Sequence, residues 1–428
     1  MAAALLASIV VLAGCGGPTI VTVEGTVVDQ LQDPVPNATV LVDGHTTSTA
    51  ADGTFSVANI QPPYDVAVSA PGALIVQDFQ GLTGASPTLV DPGAQSLHHA
   101  SIAGALGTDP FQSNEAGIAL PTGASPAYGA AMVSNGAGPA FGPATVTFGG
   151  ASNRSTTLYG LRALVDSSGI PTSFTGFGTL QVDLHDGDTL TGLTIPMAAV
   201  GNGTVSGHLD APSGYSLTSQ VFVLLVGGTS TGGIVGVPLA HATPTGTFSG
   251  QPVPVASEIR YGVAGRATDA TGNVAMGWGG LASQPGASVA FELPSAATPT
   301  APPDHATNVT SSTTFRWTAL PNGIYIVRLT PTQSGTGPAI DIMTRNTSLT
   351  LPDLSAIGAA IPAGTAYTLT VLGAGPLASV DEAAGVHGLW NIELAFEVAF
   401  AGSGQPLLGP TTPGWLTAST STTFTTAP

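Results

Sequence analysis

Lysine is absent from this chain of 428 residues, and arginine is scarce. Lys and Arg together number seven, all of them Arg, against 25 Asp and Glu, for a net charge of −18. The first Arg is Arg154, so everything before it carries no basic side chain. Proteins that bind nucleic acid neutralise phosphates with Lys and Arg, and no such footprint exists here. Nucleic acid is therefore excluded as a partner. The same acidic surface repels anionic lipid and polysaccharide and attracts divalent cations only nonspecifically. Cysteine is limited to Cys15, so no disulfide can form within the chain, and each domain must be held by its own apolar core. Long apolar runs are lacking too. Past the N-terminus, Gly, Pro, Ser, Thr and Asn interrupt every stretch well before the ~20 residues a membrane-spanning helix needs. The eight His residues show no His-Glu-x-x-His spacing, and no phosphate loop, cofactor fingerprint or paired-carboxylate pattern is present. No cofactor and no metal centre are expected.

What the chain does contain is 57 Gly, 35 Pro and 43% hydrophobic residues. That hydrophobic content is enough for packed cores. The Gly, Pro and Thr disfavour helices and favour short strands joined by turns. The length fits roughly three to four domains.

Self-comparison shows a repeat near 100 residues. Three segments open alike, at Val23-Glu24-Gly25-Thr26-Val27, Ser101-Ile102-Ala103-Gly104-Ala105-Leu106 and Gly203-Thr204-Val205-Ser206-Gly207-His208-Leu209. Gly53-Thr54-Phe55-Ser56 recurs as Gly246-Thr247-Phe248-Ser249. A tyrosine strand follows in each (Tyr64, Tyr159, Tyr261), then an aromatic (Phe79, Phe177, Trp278), then a Gly turn before a closing strand. Alternation puts one face of each strand inward, and Gly turns reverse the chain, as in a β-sandwich. The recurring Tyr and Phe/Trp positions read as core anchors. The fold class expected is all-β, as tandem Ig-like or transthyretin-like β-sandwich domains.

Residues 20–70 resemble the carboxypeptidase-regulatory-like domain, a transthyretin-like sandwich. The residues that carry the likeness are Gly25–Asp29, Asp33-Pro34-Val35-Pro36-Asn37-Ala38-Thr39-Val40, Thr49–Ser56 and Ile60–Val66. The second and third segments lack the Pro-Val-Pro step and look like divergent relatives. Beyond the Pro/Ala/Thr linker at Ala296–Pro303, the strands Thr313–Trp317, Gly323–Leu329 and Ala366–Val371 resemble a fibronectin type III domain. The expected boundaries are 1–14, 15–97, 98–199, 200–295 and 296–428.

At the N-terminus, Leu12-Ala13-Gly14-Cys15 follows the apolar run Leu5–Leu12. This resembles the lipobox of bacterial lipoproteins. The resemblance implies that Met1–Gly14 is a signal peptide and that Cys15 is lipidated, making the membrane a partner through that anchor. Gly16 is not the Asp of an inner-membrane retention signal, which favours the outer membrane or cell surface. The alternative is a buried N-terminal strand.

Gly228-Thr229-Ser230-Thr231-Gly232 matches the Gly-x-Ser-x-Gly of hydrolases, but poor helix formers follow where an elbow needs a helix, so a Gly-rich loop is expected. His98 and His99 are adjacent, and on a strand they face opposite ways. Asp183 and His185 share a face with Asp186 and Asp188 in the turn, a weak cation site or simply a closing hairpin. Trp278, between two glycines, and Tyr261 are the candidate ligand-binding residues, as an exposed aromatic strip that stacks sugars; core packing is the competing reading for them and for Trp317, Trp390 and Trp415. The function expected is a lipid-anchored cell-envelope protein with a structural, adhesive or binding role and no catalysis. The alternatives are a carbohydrate- or peptide-binding accessory module with a glycan or protein ligand, and, behind it, a serine hydrolase.

Overall fold

A computed structural model describes residues 20–428 apart from 31, 94–97, 123–126, 129–130, 134–137, 149–152, 227–233, 242–245, 387, 390–406 and 410–413. Its first strand, β1 (Val21–Val28), shows the logic of the whole. Val23, Gly25 and Val27 face inward, while Thr22 and Glu24 face water. The first repeat continues with β2 (Thr39–Val42), β3 (His45–Ser48), β4 (Thr54–Ile60), β5 (Tyr64–Ser69), β6 (Ile75–Leu82) and β7 (Thr88–Val90). The second contains β8 (His98–Leu106), β9 (Glu115–Thr122), β10 (Ala127–Tyr128), β11 (Ala131–Val133), β12 (Ala140–Phe148), β13 (Asn153–Val165), β14 (Pro171–His185), β15 (Thr189–Ile195) and β16 (Met197–Ala198). The third contains β17 (Gly201–Asp210), β18 (Tyr215–Val226), β19 (Ile234–His241), β20 (Thr247–Val255), β21 (Ile259–Asp269), β22 (Val274–Ala282) and β23 (Ser288–Glu292).

The three repeats share one strand order. Each opening strand is central, antiparallel to one neighbour and parallel to the closing strand: β4-β1-β7, β12-β8-β15 and β20-β17-β23. A cross-strand pair of glycine and phenylalanine marks all three, Gly25 with Phe55, Gly104 with Phe141 and Gly207 with Phe248. All three Phe side chains are buried. A Cβ on Gly25 would lie 2.4 Å from the Phe55 ring, so the ring occupies the space that glycine leaves. Just beyond each pair, the opening strand donates one equivalent backbone bond: Val27 N–H to Gly53 O at 2.9 Å, Leu106 N–H to Pro139 O at 2.8 Å and Leu209 N–H to Gly246 O at 2.9 Å.

The expectation that the recurring tyrosines and the aromatics after them anchor cores holds in the first and third repeats, where all four are buried, while Tyr159 and Phe177 of the second are half-buried. In the first, Tyr64 and Phe79 both lie inside the sandwich. In the second, Leu158 takes the inward position. Tyr159 and Phe177, with rings 6.2 Å apart, pack instead on a cluster that the second and third repeats share, with Leu120, Leu161 and Phe174 on one side and Val205, Phe248 and Tyr261 on the other. In the third, Tyr261 faces the sandwich core, but Trp278 points to the opposite face of the sheet. A shift of one residue in a strand exchanges its two faces, and letter matching does not register such a shift.

The C-terminal unit comprises β24 (Pro299–Ala301), β25 (Ala306–Val309), β26 (Thr314–Trp317), β27 (Ile324–Pro331), β28 (Ala339–Thr344), β29 (Ser348–Thr350), β30 (Ala366–Gly375), the short helix α1 (Val380–Ala384), β31 (Leu407–Gly409), β32 (Gly414–Ala418) and β33 (Thr422–Thr426). The small sheet β24-β26-β29 faces β28-β27-β30, and Phe315, Phe424 and Tyr367 stack between them.

A chain of separate sandwiches would leave many strand edges open. Here a 15-stranded sheet runs through three of the four units, in the order β3-β2-β5-β6-β28-β27-β30-β32-β22-β21-β18-β19-β31, with β33 on β30 and β25 on β33 completing it off that path. Strand β6 pairs in parallel with β28, Ile75 opposite Ala339 through Phe79 opposite Met343. On the far side β32 bridges β30 and β22. The C-terminal unit thus sits between the first and third repeats and closes an edge of each. It also explains the unbroken apolar run Val40-Leu41-Val42. Val40 and Val42 enter the first sandwich, while Leu41, Ala67 and Val76 pack with Leu349, Leu351 and Leu354 of the C-terminal unit. Side chains reinforce the junctions. The Asp381 carboxylate accepts from Gly84 N at 2.9 Å and from Thr83 Oγ1 at 2.9 Å, and Asn273 Oδ1 accepts from Thr420 N at 2.8 Å. Among the described residues no helix is long and apolar enough to cross a membrane.

Candidate functional site

Among the described residues, those singled out in the sequence do not converge. Cys15, Ser230 and Trp390 lie outside the described residues. Tyr261 and Trp278 are 1% and 5% exposed, on opposite faces of their sheet. The Tyr261 hydroxyl donates to Pro254 O at 2.5 Å, and Trp278 Nε1 is buried without a partner. They therefore form no exposed aromatic strip, and the sugar-stacking reading of these two residues is corrected. The Gly neighbours of Trp278 do not bare its ring; Gly277 and Gly279 leave room for the Phe291 ring. Trp317 and Trp415 are buried as well.

At the end of the second repeat the histidines and aspartates pair off. His98 Nδ1 lies 3.3 Å from Asp186, and its ring packs against Phe148. His185 Nδ1 lies 3.0 Å from Asp188, His99 bonds Thr147 and Asp183 accepts from Ser155. Among the described residues no three His, Cys, Asp or Glu are placed to hold a metal ion.

Two polar clusters escaped the sequence reading. In the second repeat Glu115, with a fully buried side chain, takes Arg162 in a two-pronged pair, Nε to Oε1 and Nη2 to Oε2, each at 2.8 Å. Thr175 Oγ1 and Gln112 N also donate to it. The guanidinium bonds Asp109 O and Pro110 O at 3.2 Å and lies 4.5 Å above the Phe111 ring. Burial raises the Glu115 pKa, but the hydrogen bonds from Arg162, Thr175 and Gln112 outweigh it and hold the carboxyl below its ordinary value. With every prong engaged this is a structural clamp on the 107–114 loop. Its signal in the sequence is one Arg inside the apolar stretch Leu158–Val165.

The second cluster lines a cavity of ≈ 280 Å³ between the first repeat and the C-terminal unit. Asp43, Asp65, Asp78 and Gln80 come from one side, and Thr350 and Asp353 from the other. Asp43 Oδ1 accepts from Asp65 N, Asp65 Oδ1 from Gly81 N and Asp78 Oδ2 from Gln80 Nε2, at 2.8–2.9 Å. No basic residue lines the wall. Asp78 is 4% exposed, and burial, with the nearby Asp65 charge, pushes its pKa up to about 7 against the bond from Gln80. Burial also raises Asp65. Such an arrangement takes up protons near neutrality. The signal available in the sequence was Asp78 inside the strand Ile75–Phe79, and alternation alone does not tell a buried Asp from an exposed one.

Comparison with known proteins bears on the first repeat alone. Residues 22–89 match the model of the carboxypeptidase regulatory-like domain. No curated protein sequence matches the chain. Among solved structures, the TIE protein of Bacillus anthracis is 9% identical over 64% of this chain and 50% of its own, with a TM-score of 0.17. This chain therefore spans half the length of that protein. BcpA, the major pilin subunit of Bacillus cereus, is 10% identical over 65% of this chain and all of its own, with a TM-score of 0.15. The major pilin SpaD from Corynebacterium diphtheriae is 8% identical over 59% of this chain and 88% of its own, with a TM-score of 0.14. TM-scores this low carry no argument about function. The first repeat is therefore similar in sequence to the carboxypeptidase regulatory-like domain, and the second and third are tied to it by strand order and by their Gly–Phe pairs.

Proposed function

We propose that this chain is a lipid-anchored, non-catalytic protein of the cell envelope with a structural or adhesive role. The observation that carries the reading is the 15-stranded sheet that fuses the first repeat, the C-terminal unit and the third repeat. Hydrogen-bonded strands across unit boundaries resist bending far better than linkers, and a stiff body holds its end loops in fixed places for contact with a protein partner. In this reading Cys15 is the lipid attachment point, the C-terminal unit is fibronectin type III-like, and the location is the outer membrane or cell surface. Multiple acyl chains would make the attachment stable, since a single chain binds only marginally.

The experiment compares producing cells carrying the wild-type chain with cells carrying Cys15→Ser. Palmitate labelling and surface retention are expected in the wild type only, with cell adhesion lost in the variant and in a deletion strain. Palmitate incorporation that persists in Cys15→Ser would refute the anchor. Unchanged adhesion in the deletion strain would refute the adhesive role. Labelling by a serine-reactive probe that disappears in Ser230→Ala would overturn the non-catalytic reading.

A further inference from the structure

The seam between β6 and β28 is unusual for what it buries. On one face Asp78 lines the acidic cavity, with Asp43, Asp65 and Gln80 facing it from the first repeat and Asp353 from the C-terminal unit. On the other face Gln77 stands opposite Asp341 across the parallel pairing, and both are 1% exposed. Asp91, also 1% exposed, follows β7 of the first repeat, and besides its burial it feels the charges of Asp29 and, across the seam, Asp341. Asp91 Oδ1 accepts from Gly93 N at 2.8 Å, while Oδ2 is buried without a partner, as are Asp33 Oδ2 and Gln77 Nε2. Arg328 is engaged by Asp341, Nε to Oδ1 at 2.9 Å and Nη2 to Oδ2 at 3.0 Å. Arg154 of the second repeat is influenced by Asp33.

Two buried carboxyls, Asp78 and Asp91, thus sit beside this seam, and among the described residues neither is paired with a cation. Ionised carboxylates in such sites carry a heavy desolvation cost, and a proton removes it. We propose that the parallel β6–β28 pairing is a proton-operated joint, closed while Asp78 and Asp91 hold protons and loosened when both ionise. Burial is the first cause in both cases, and it pushes Asp78 up to about 7 and Asp91 up to about 6. Separation of the units returns both groups to water and to ordinary acidity. The closed state therefore binds more protons than the open one. Closure is fully favoured below the ordinary carboxylate range and is lost as pH rises through about 6 to about 7.

The test is hydrogen exchange on the full chain at about pH 5 and about pH 8, corrected for the intrinsic rate at each pH. Linkage sets a loss of protection on the order of 10³-fold across that window in Ile75–Leu82 and Ala339–Thr344, about 10²-fold from Asp78 and about 10-fold from Asp91. The antiparallel β27–β30 pairing inside the C-terminal unit keeps its protection. Asp78→Asn combined with Asp91→Asn removes most of the pH dependence of seam protection, leaving only the part owed to Asp65 and Asp341, whose carboxyls burial also raises. The infrared band of protonated carboxyl groups, read on the wild type, keeps the proposal testable if that variant does not fold. The band is expected to vanish in step with protection. Equal seam protection at both pH values, a pH dependence undiminished in the folded double variant, or carboxyls fully ionised already at about pH 5 would overturn the joint.

Discussion

Removing Arg162 from its clamp gives the sharpest test of how the second repeat is held. In Arg162→Met the apolar stem is replaced, but Glu115 keeps a fully buried carboxylate with no cation beside it. The carbonyls of Asp109 and Pro110 lose their donor, and Phe111 loses the guanidinium it faces. Breaking a buried pair from one side costs ~3–5 kcal/mol, because the remaining charge has no compensation. Urea unfolding followed by exchange of the β13 amides measures the loss. Its pH dependence is a second readout. In the wild type the Glu115 pKa lies below its ordinary 4.5, so the contribution of the pair is complete above that value and is lost as pH falls through the lowered one. In the variant the lone buried carboxyl shifts the other way, so the deficit is largest near neutrality and shrinks as acid protonates it. Adding Glu115→Leu recovers most of the loss, because no buried charge is left. A loss below ~1 kcal/mol at neutral pH, or a double variant as weak as the single one, would refute the clamp.

Three further outcomes follow from particular contacts. Gly53 has φ +75°, and a Cβ there would lie 2.4 Å from Val27 O, so Gly53→Ala lowers stability by ~1–3 kcal/mol in thermal unfolding. Trp278→Ala empties a buried site and costs ~3–5 kcal/mol in denaturant unfolding, while leaving binding on a glycan array unchanged. Asp381→Ala removes the acceptor of the Thr83 and Gly84 donors and speeds exchange of those two amides relative to the interior of β5.

Much of the fold was legible because its signals are local. Gly53-Thr54-Phe55 and Gly246-Thr247-Phe248 announced equivalent strands, and the structure pairs both phenylalanines with a glycine of the opening strand. Gly138-Pro139-Ala140-Phe141 does the same work in the second repeat with one more residue between glycine and phenylalanine, and letter matching passed over it. The sheet that joins the units was not legible. Pairing of β6 with β28 brings together residues more than 260 positions apart, and nothing near either strand names its partner. The one hint was the continuous burial of Val40-Leu41-Val42, a run too short to assign its second face. The candidate site failed for a related reason. Glycines beside Trp278 suggested exposure, whereas they admit the Phe291 ring.

The account rests most heavily on the claim that the first repeat, the C-terminal unit and the third repeat form one continuous sheet. Pulsed dipolar spectroscopy tests it, with spin labels at the exposed positions Thr46, Thr314 and Ala290, taken in pairs in a Cys15→Ser background. A shared sheet predicts one narrow distance distribution for every pair at about pH 5, and for Thr314 with Ala290 at near-neutral pH as well. Broad or multiple distributions between Thr314 and Ala290 would contradict it, since units joined only by linkers sample many separations.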